Sequence, residues 1–141
     1  MLAQGFDLQR CVLDHNLYTW SDYTKNRYAD IGMKYDTVPL ELNRRELLQR
    51  DCCTSELIVY GRMPLMISAQ CVHGNVEACD KKPVLRYLKD RHREMFPVKN
   101  QCNECYQTIY NAKPLSLAAL TGELSRLQPA AYRLQFTIEN A

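Results

Sequence analysis

No stretch of the chain runs for the roughly 18 apolar residues that a bilayer-spanning helix needs, so nothing in it reads as a transmembrane segment. Met1 to Arg10 has neither a basic start nor an unbroken apolar run, because Gln4, Asp7 and Gln9 interrupt it; no secretory signal is expected. Charge of one sign is scarce. The 18 basic and 16 acidic residues leave a formal net charge of +2, too little by itself to argue for nucleic acid or a membrane surface. Two catalytic signatures are missing as well: there is no Gly-x-Ser-x-Gly elbow and no His-Glu-x-x-His helix. The histidines His15, His73 and His92 are scattered, and none is visibly paired with a Ser or Cys nucleophile. Nothing in the composition points to disorder or to a collagen repeat.

What remains is a globular chain of 141 residues, long enough to bury roughly two-thirds of its unfolded surface in one compact domain. It is well supplied with cysteine. Seven cysteines are an odd number, which fits poorly with a closed set of disulfides. Without a secretory signal they point to a reducing compartment, where thiols stay free or bind metal, and the cytoplasm is the expected address.

Strands and helices alternate along the chain. Cys11-Val12-Leu13-Asp14 is a short apolar run that ends in His15-Asn16. Ser21 is placed to cap a helix whose inward residues are expected to be Tyr23, Tyr28 and Ile31, with Gly32 at its C-terminal cap. Tyr35 to Leu42 is the next expected strand, with Pro39 marking an end or irregularity. Asn43 and Glu46 have capping-box spacing ahead of Leu47-Leu48. Glu56 to Gly61 is the clearest buried-strand run, and Met63 to Ile67 continues it after a break at Arg62. Periodicity is lost from Gln70 to about Asn111. Leu117, Leu120, Leu124 and Leu127 then form one helix face. Pro129 ends that helix, and Tyr132, Leu134, Phe136 and Ile138 alternate as a half-buried strand.

About four strands with helices between them predict parallel pairing and an α/β fold. A full barrel of this kind needs about 250 residues and eight strands, so the expectation is a half barrel spanning 1–141, with 70–111 as an insertion. Its unpaired edges call for another segment or a second copy of the chain. Polar residues end each strand: His15 and Asn16, Glu41 and Asn43, Tyr60 and Arg62, Glu139 and Asn140. In such barrels those ends build the active site, although polar residues end strands in any fold.

The insertion carries the strongest chemical signal. Seven residues separate Cys71 from Cys79 and two separate Cys102 from Cys105, with twenty-two between the pairs. A two-residue gap lets both sulfurs of one turn reach one metal, and four thiolates suit a tetrahedral zinc ion or an iron–sulfur cluster. Spacing alone leaves both open. Cys52-Cys53 reads as loop or core, and Cys11, in a strand, reads as core. Between the pairs lie Lys81, Lys82, Arg86, Lys89, Arg91, Arg93 and Lys99, interleaved with Tyr87, His92 and Phe96. Such a mixture suits phosphates and stacked bases, and it equally describes a solvated charged surface.

The run Glu56-Leu57-Ile58-Val59-Tyr60-Gly61-Arg62-Met63-Pro64-Leu65-Met66, followed by Cys71, resembles the collagenase-like peptidase family U-thirty-two. So do Leu17-Tyr18-Thr19-Trp20, Pro39-Leu40-Glu41-Leu42-Asn43, Leu88-Lys89-Asp90-Arg91, Phe96-Pro97-Val98 and Asn111 to Leu117, in the same order over nearly the whole chain. The resemblance implies a β/α barrel of which this chain is the later part. It also implies a 4Fe–4S cluster on Cys71, Cys79, Cys102 and Cys105. Branches of that family degrade collagen, hydroxylate bases in ribosomal or transfer RNA, or hydroxylate the ubiquinone ring without oxygen. The RNA-modifying type is the most similar. On that reading the basic insertion, through Lys89, Arg91 and Arg93, holds an RNA backbone, and Glu41, Arg62 and Glu139 line a substrate pocket; no residue is assigned as catalytic acid or base. The alternatives are a peptidase, and a metal-binding or assembly module without catalysis.

Overall fold

The computed structural model describes residues 7–75 and 81–139. Its elements run β1 (Val12–Leu13), α1 (Asp22–Asp30), β2 (Tyr35–Thr37), α2 (Arg44–Leu47), β3 (Ser55–Gly61), β4 (Pro64–Ser68), β5 (Leu85–Lys89), β6 (Met95–Gln101), β7 (Tyr106–Tyr110), β8 (Leu115–Ser116), α3 (Thr121–Leu124) and β9 (Ala131–Gln135). They form two compact units. The first is built from the chain up to Val59 and from Leu117–Leu134, the second from Tyr60–Ser116 and the segment that starts at Gln135. The fold is mixed α/β. No helix among the described residues is long and apolar enough to cross a membrane.

In the first unit β1, β2 and β3 pair in parallel, Val12 against Tyr35 and Asp36 against Ser55, as the alternation of strands and helices predicts. β9 also pairs with β3. The pleat sends Leu57 and Val59 to one face, where they pack with Val38 and Cys52 under Leu42, Leu47, Leu117, Leu124 and Leu127. The helix caps follow the sequence. The Ser21 hydroxyl accepts from the Thr24 amide at the start of α1. At its end the Met33 amide donates to Tyr28 O and the Gly32 amide to Ala29 O, a double bond pattern that needs Gly32 at φ +97°. Asn43 and Glu46 close the capping box of α2.

Several expectations are corrected. The described residues form a small mixed sheet and no β/α barrel: three strands are parallel, and the end of β3 pairs antiparallel with β8. The strand expected to reach Leu42 stops at Thr37, ahead of Pro39. In α1, Tyr23 and Ile31 face solvent, and Lys25 turns inward, where its ammonium meets Asp51 O at 2.6 Å and Ser55 Oγ at 3.1 Å. The leucine-rich helix is broken into a 3-10 turn, α3 and a second 3-10 turn, and Leu120 is exposed. The last strand stops at Gln135 and presents its other face inward. Tyr132, Leu134 and Phe136 are exposed, because the half-buried Arg133 is taken by Asp14 at 3.2 Å and Thr37 Oγ1 at 3.0 Å.

The second unit holds an antiparallel sheet in the order β4-β7-β6-β5. The stretch expected to be irregular therefore contains three strands, β5, β6 and β7. Its pattern was obscured by Pro97 inside β6 and by polar residues at inward positions, Asn100 opposite Gln107. β4 does not continue β3; it pairs with β7. Gly61 ends β3 at φ +156°, and a Cβ there would stand 2.7 Å from Gln135 O and 3.0 Å from Gln135 Cβ. Gly61→Ala is expected to push these backbones apart at a cost of about 1–3 kcal/mol, read as a lowered denaturation midpoint.

Candidate metal centre

Three of the four predicted ligands lie at one end of the antiparallel sheet. Cys71 follows β4, whose last residue, Ser68, is opposite Gln107 of β7. Cys102 and Cys105 bracket the turn between β6 and β7, in the register that sets Gln101 against Tyr106. The turn is tight: the Glu104 amide donates to Gln101 O at 3.2 Å, and Cys105 adopts the left-handed region at φ +54°. Cys79 lies outside the described residues.

The link between these two places is Gln107. Its side chain is fully buried on β7, and both ends of its amide are used on the Cys71 loop. Nε2 donates to Gln70 O at 2.7 Å, and Oε1 accepts from the Val72 amide at 3.1 Å. Cys71 is thus held on both sides by one residue. Its sulfur receives the Gly74 amide at 3.4 Å and Asn100 Nδ2 at 3.8 Å, while the Asn75 amide closes the turn on Cys71 O at 3.2 Å. Donors directed at sulfur are the contacts that outer-shell groups make to metal-bound cysteine. Cys71 and Cys102 are half-buried and Cys105 is exposed, so the group lies at the surface of the unit. Among the described residues no three His, Cys, Asp or Glu side chains already stand as a metal-holding group. Ligation would therefore have to close the group around the metal, a common coupling of metal binding to local order.

Of the other cysteines, Cys53 is exposed, and Cys11, expected to be core within a strand, is only half-buried just ahead of β1. Cys52 is buried in the core of the first unit, and burial pushes its thiol pKa up, against the pull of Arg50. A buried, poorly ionised thiol is inert packing.

The remaining predicted residues fall into three groups. Arg62 and Glu139 come together in the second unit, Arg62 Nε lying 3.9 Å from Glu139 Oε1, while Arg62 Nη1 donates to Asn111 O at 3.0 Å and Ala112 O at 2.6 Å. The Thr137 amide, joined by that of Ile138 and by Arg62, holds the Glu139 carboxyl below its ordinary pKa against the effect of partial burial. Lys89, Arg91 and Arg93 are exposed at the tip of the β5–β6 hairpin. That tip is fastened by Asp90, whose carboxylate accepts from the His92 and Glu94 amides at 2.8 and 2.9 Å. Glu41 is exposed in the first unit, in the turn after β2. Of the histidines, His15 pairs with Asp14 and His92 with Arg91.

Sequence reasoning missed two clusters. On the face of the first sheet opposite the leucines, Arg133 Nη1 meets Asp14 and Thr37 and stands 3.9 Å from Glu56 Oε2, while Thr37 Oγ1 donates to that same carboxylate oxygen at 3.3 Å. The second cluster is Asn100 and Gln107, whose only signal was a polar residue at each of two inward strand positions. Comparison with protein-family models, with curated proteins and with solved structures finds no match.

Proposed function

We propose that this chain is the later segment of a β/α-barrel enzyme of the collagenase-like peptidase family U-thirty-two. It holds a 4Fe–4S cluster on Cys71, Cys79, Cys102 and Cys105 and acts in the hydroxylation of an RNA base. The observation that carries this reading is the seating of Cys71 by Gln107 at the same sheet end as the Cys102–Cys105 turn, with two donors already directed at the Cys71 sulfur. The donor set is thiol, which suits both iron–sulfur clusters and zinc, and the resemblance favours iron. When bound, such a cluster supplies electron transfer or substrate activation.

Three further features support the barrel and the substrate. The first unit pairs β1, β2 and β3 in parallel with helices in the connections, the unit from which such barrels are built. β1 is an edge strand, and Val12, Tyr23 and Tyr35 on β1, α1 and β2, with Trp20 and Ile31 flanking α1, remain exposed, apolar side chains suited to the rest of the barrel. The hairpin tip presents Lys89, Arg91 and Arg93 to solvent, the arrangement that binds an RNA backbone.

Replacing these three residues together by glutamine is expected to weaken binding of single-stranded RNA. It should also flatten the dependence of log affinity on log salt by about two units, at about 0.7 per lost phosphate contact. Fluorescence titration at several salt concentrations measures this. An unchanged slope removes the RNA contact from the account. Release of peptides from gelatin, surviving Cys102→Ser, would instead support the peptidase alternative.

A further inference from the structure

A pocket of about 330 Å³ in the second unit is lined by Val84, Lys99, Asn100, Thr137 and Glu139, among others. Its volume is at the small end of ligand sites, the size of a base or nucleoside. What distinguishes it is its unused hydrogen-bonding capacity. Among the described residues, Asn100 Oδ1, Thr137 Oγ1 and Glu139 Oε1 are buried oxygens that form no hydrogen bond, Glu139 Oε1 having only Arg62 Nε at 3.9 Å, and Asn100 as a whole is only 5% exposed. Buried polar oxygens left without hydrogen bonds are costly and rare; Asn100 Oδ1 and Glu139 Oε1 accept only and the Thr137 hydroxyl can accept as well, so together they suit a ligand rich in donors. The rest of each group is already committed. Asn100 Nδ2 faces the Cys71 sulfur at 3.8 Å, and Glu139 Oε2 accepts from the Thr137 and Ile138 amides at 2.7 and 3.0 Å.

We propose that this pocket binds a guanine base. The proposal rests on the RNA reading for its choice of a nucleobase and goes beyond it in naming which one. Guanine is the base whose edge carries three adjacent N–H donors, from N1 and the N2 amine, matching in number the three oxygens that form no hydrogen bond, with the Thr137 hydroxyl as an acceptor. Uracil would set two carbonyl oxygens against them. A guanidinium group has the donors but also a positive charge, which is disfavoured beside Lys99, whose ammonium already donates to Thr137 O at 2.8 Å, and beside Arg62 next to Glu139. Lys99 has further protons to offer an acceptor such as guanine O6. Through Asn100 the pocket adjoins Cys71, so a base held here is close to the candidate metal centre.

The test is calorimetric titration of the full chain with guanosine, inosine, uridine and free arginine. Guanosine is expected to bind saturably. Inosine, which lacks the N2 amine, should bind about tenfold weaker or worse, and uridine and arginine should not saturate. Thr137→Val and Glu139→Ala should each weaken guanosine binding about tenfold, with the circular dichroism spectrum and the metal content unchanged. Uridine or arginine binding as tightly as guanosine, or guanosine affinity unmoved in both variants, overturns the proposal. These outcomes are read without reference to iron: a chain that binds guanosine but no iron sinks the cluster alone, and one that binds iron but not guanosine sinks the pocket alone.

Discussion

Arg50→Met is expected to cost about 3–5 kcal/mol of folding stability, a large share of what a domain of this size has. Arg50 is buried beside Asp36, and both side chains are 2% exposed. Its guanidinium donates to the Asp36 carboxylate, to Thr19 O at 3.0 Å and to Ser55 Oγ at 3.0 Å, while Ser55 and Thr19 donate their hydroxyls to Asp36. Lys25 stands 3.9 Å from the same carboxylate and is the remaining cation of the cluster. Removing Arg50 strands a buried carboxylate whose desolvation is no longer offset. Replacing both partners removes the stranded charge, so Asp36→Asn combined with Arg50→Met should recover part of the loss. In urea the single variant should unfold about 2 M earlier, given slopes of about 1–3 kcal/mol per molar. A shift under 0.5 M would mean that the network contributes little to the first unit.

Gln107→Leu is the second large effect. Leucine keeps the volume but leaves Gln70 O and the Val72 amide without the partners that hold Cys71 in place. Residues that orient metal ligands typically change affinity 10–100-fold when lost, and that range is expected for iron retention against a chelator. A thermal melt alongside separates this from unfolding: the two unpaired backbone groups cost about 1–3 kcal/mol each if they stay buried. Iron retention equal to the parent chain would show that Cys71 is positioned by other contacts.

How far these features were legible in the sequence depended on range. Local signals were readable: Ser21, Gly32 and the Asn43–Glu46 pair mark helix ends through contacts within a few residues, and Glu56 to Gly61 marks a buried strand by composition. The arrangement of β5 to β7 was not, because Lys99, Asn100 and Gln107 interrupt the apolar alternation, and their reasons lie in partners far along the chain. The same holds for Arg133. An apolar–polar alternation from Tyr132 predicts strand correctly, yet only Asp14 and Thr37, about a hundred residues earlier, decide which face turns inward. Of the candidate site, the cysteines were visible by spacing, whereas Gln107, which brings Cys71 to them, was not.

The most direct test is quantitation of iron, acid-labile sulfide and zinc in the full chain purified without oxygen, with its visible spectrum, beside Cys102→Ser. The account predicts about four irons and four sulfides per chain, broad absorbance near 400 nm, and loss of both in the variant. Stoichiometric zinc, or a colourless chain whose metal content is the same with and without Cys102, would contradict it.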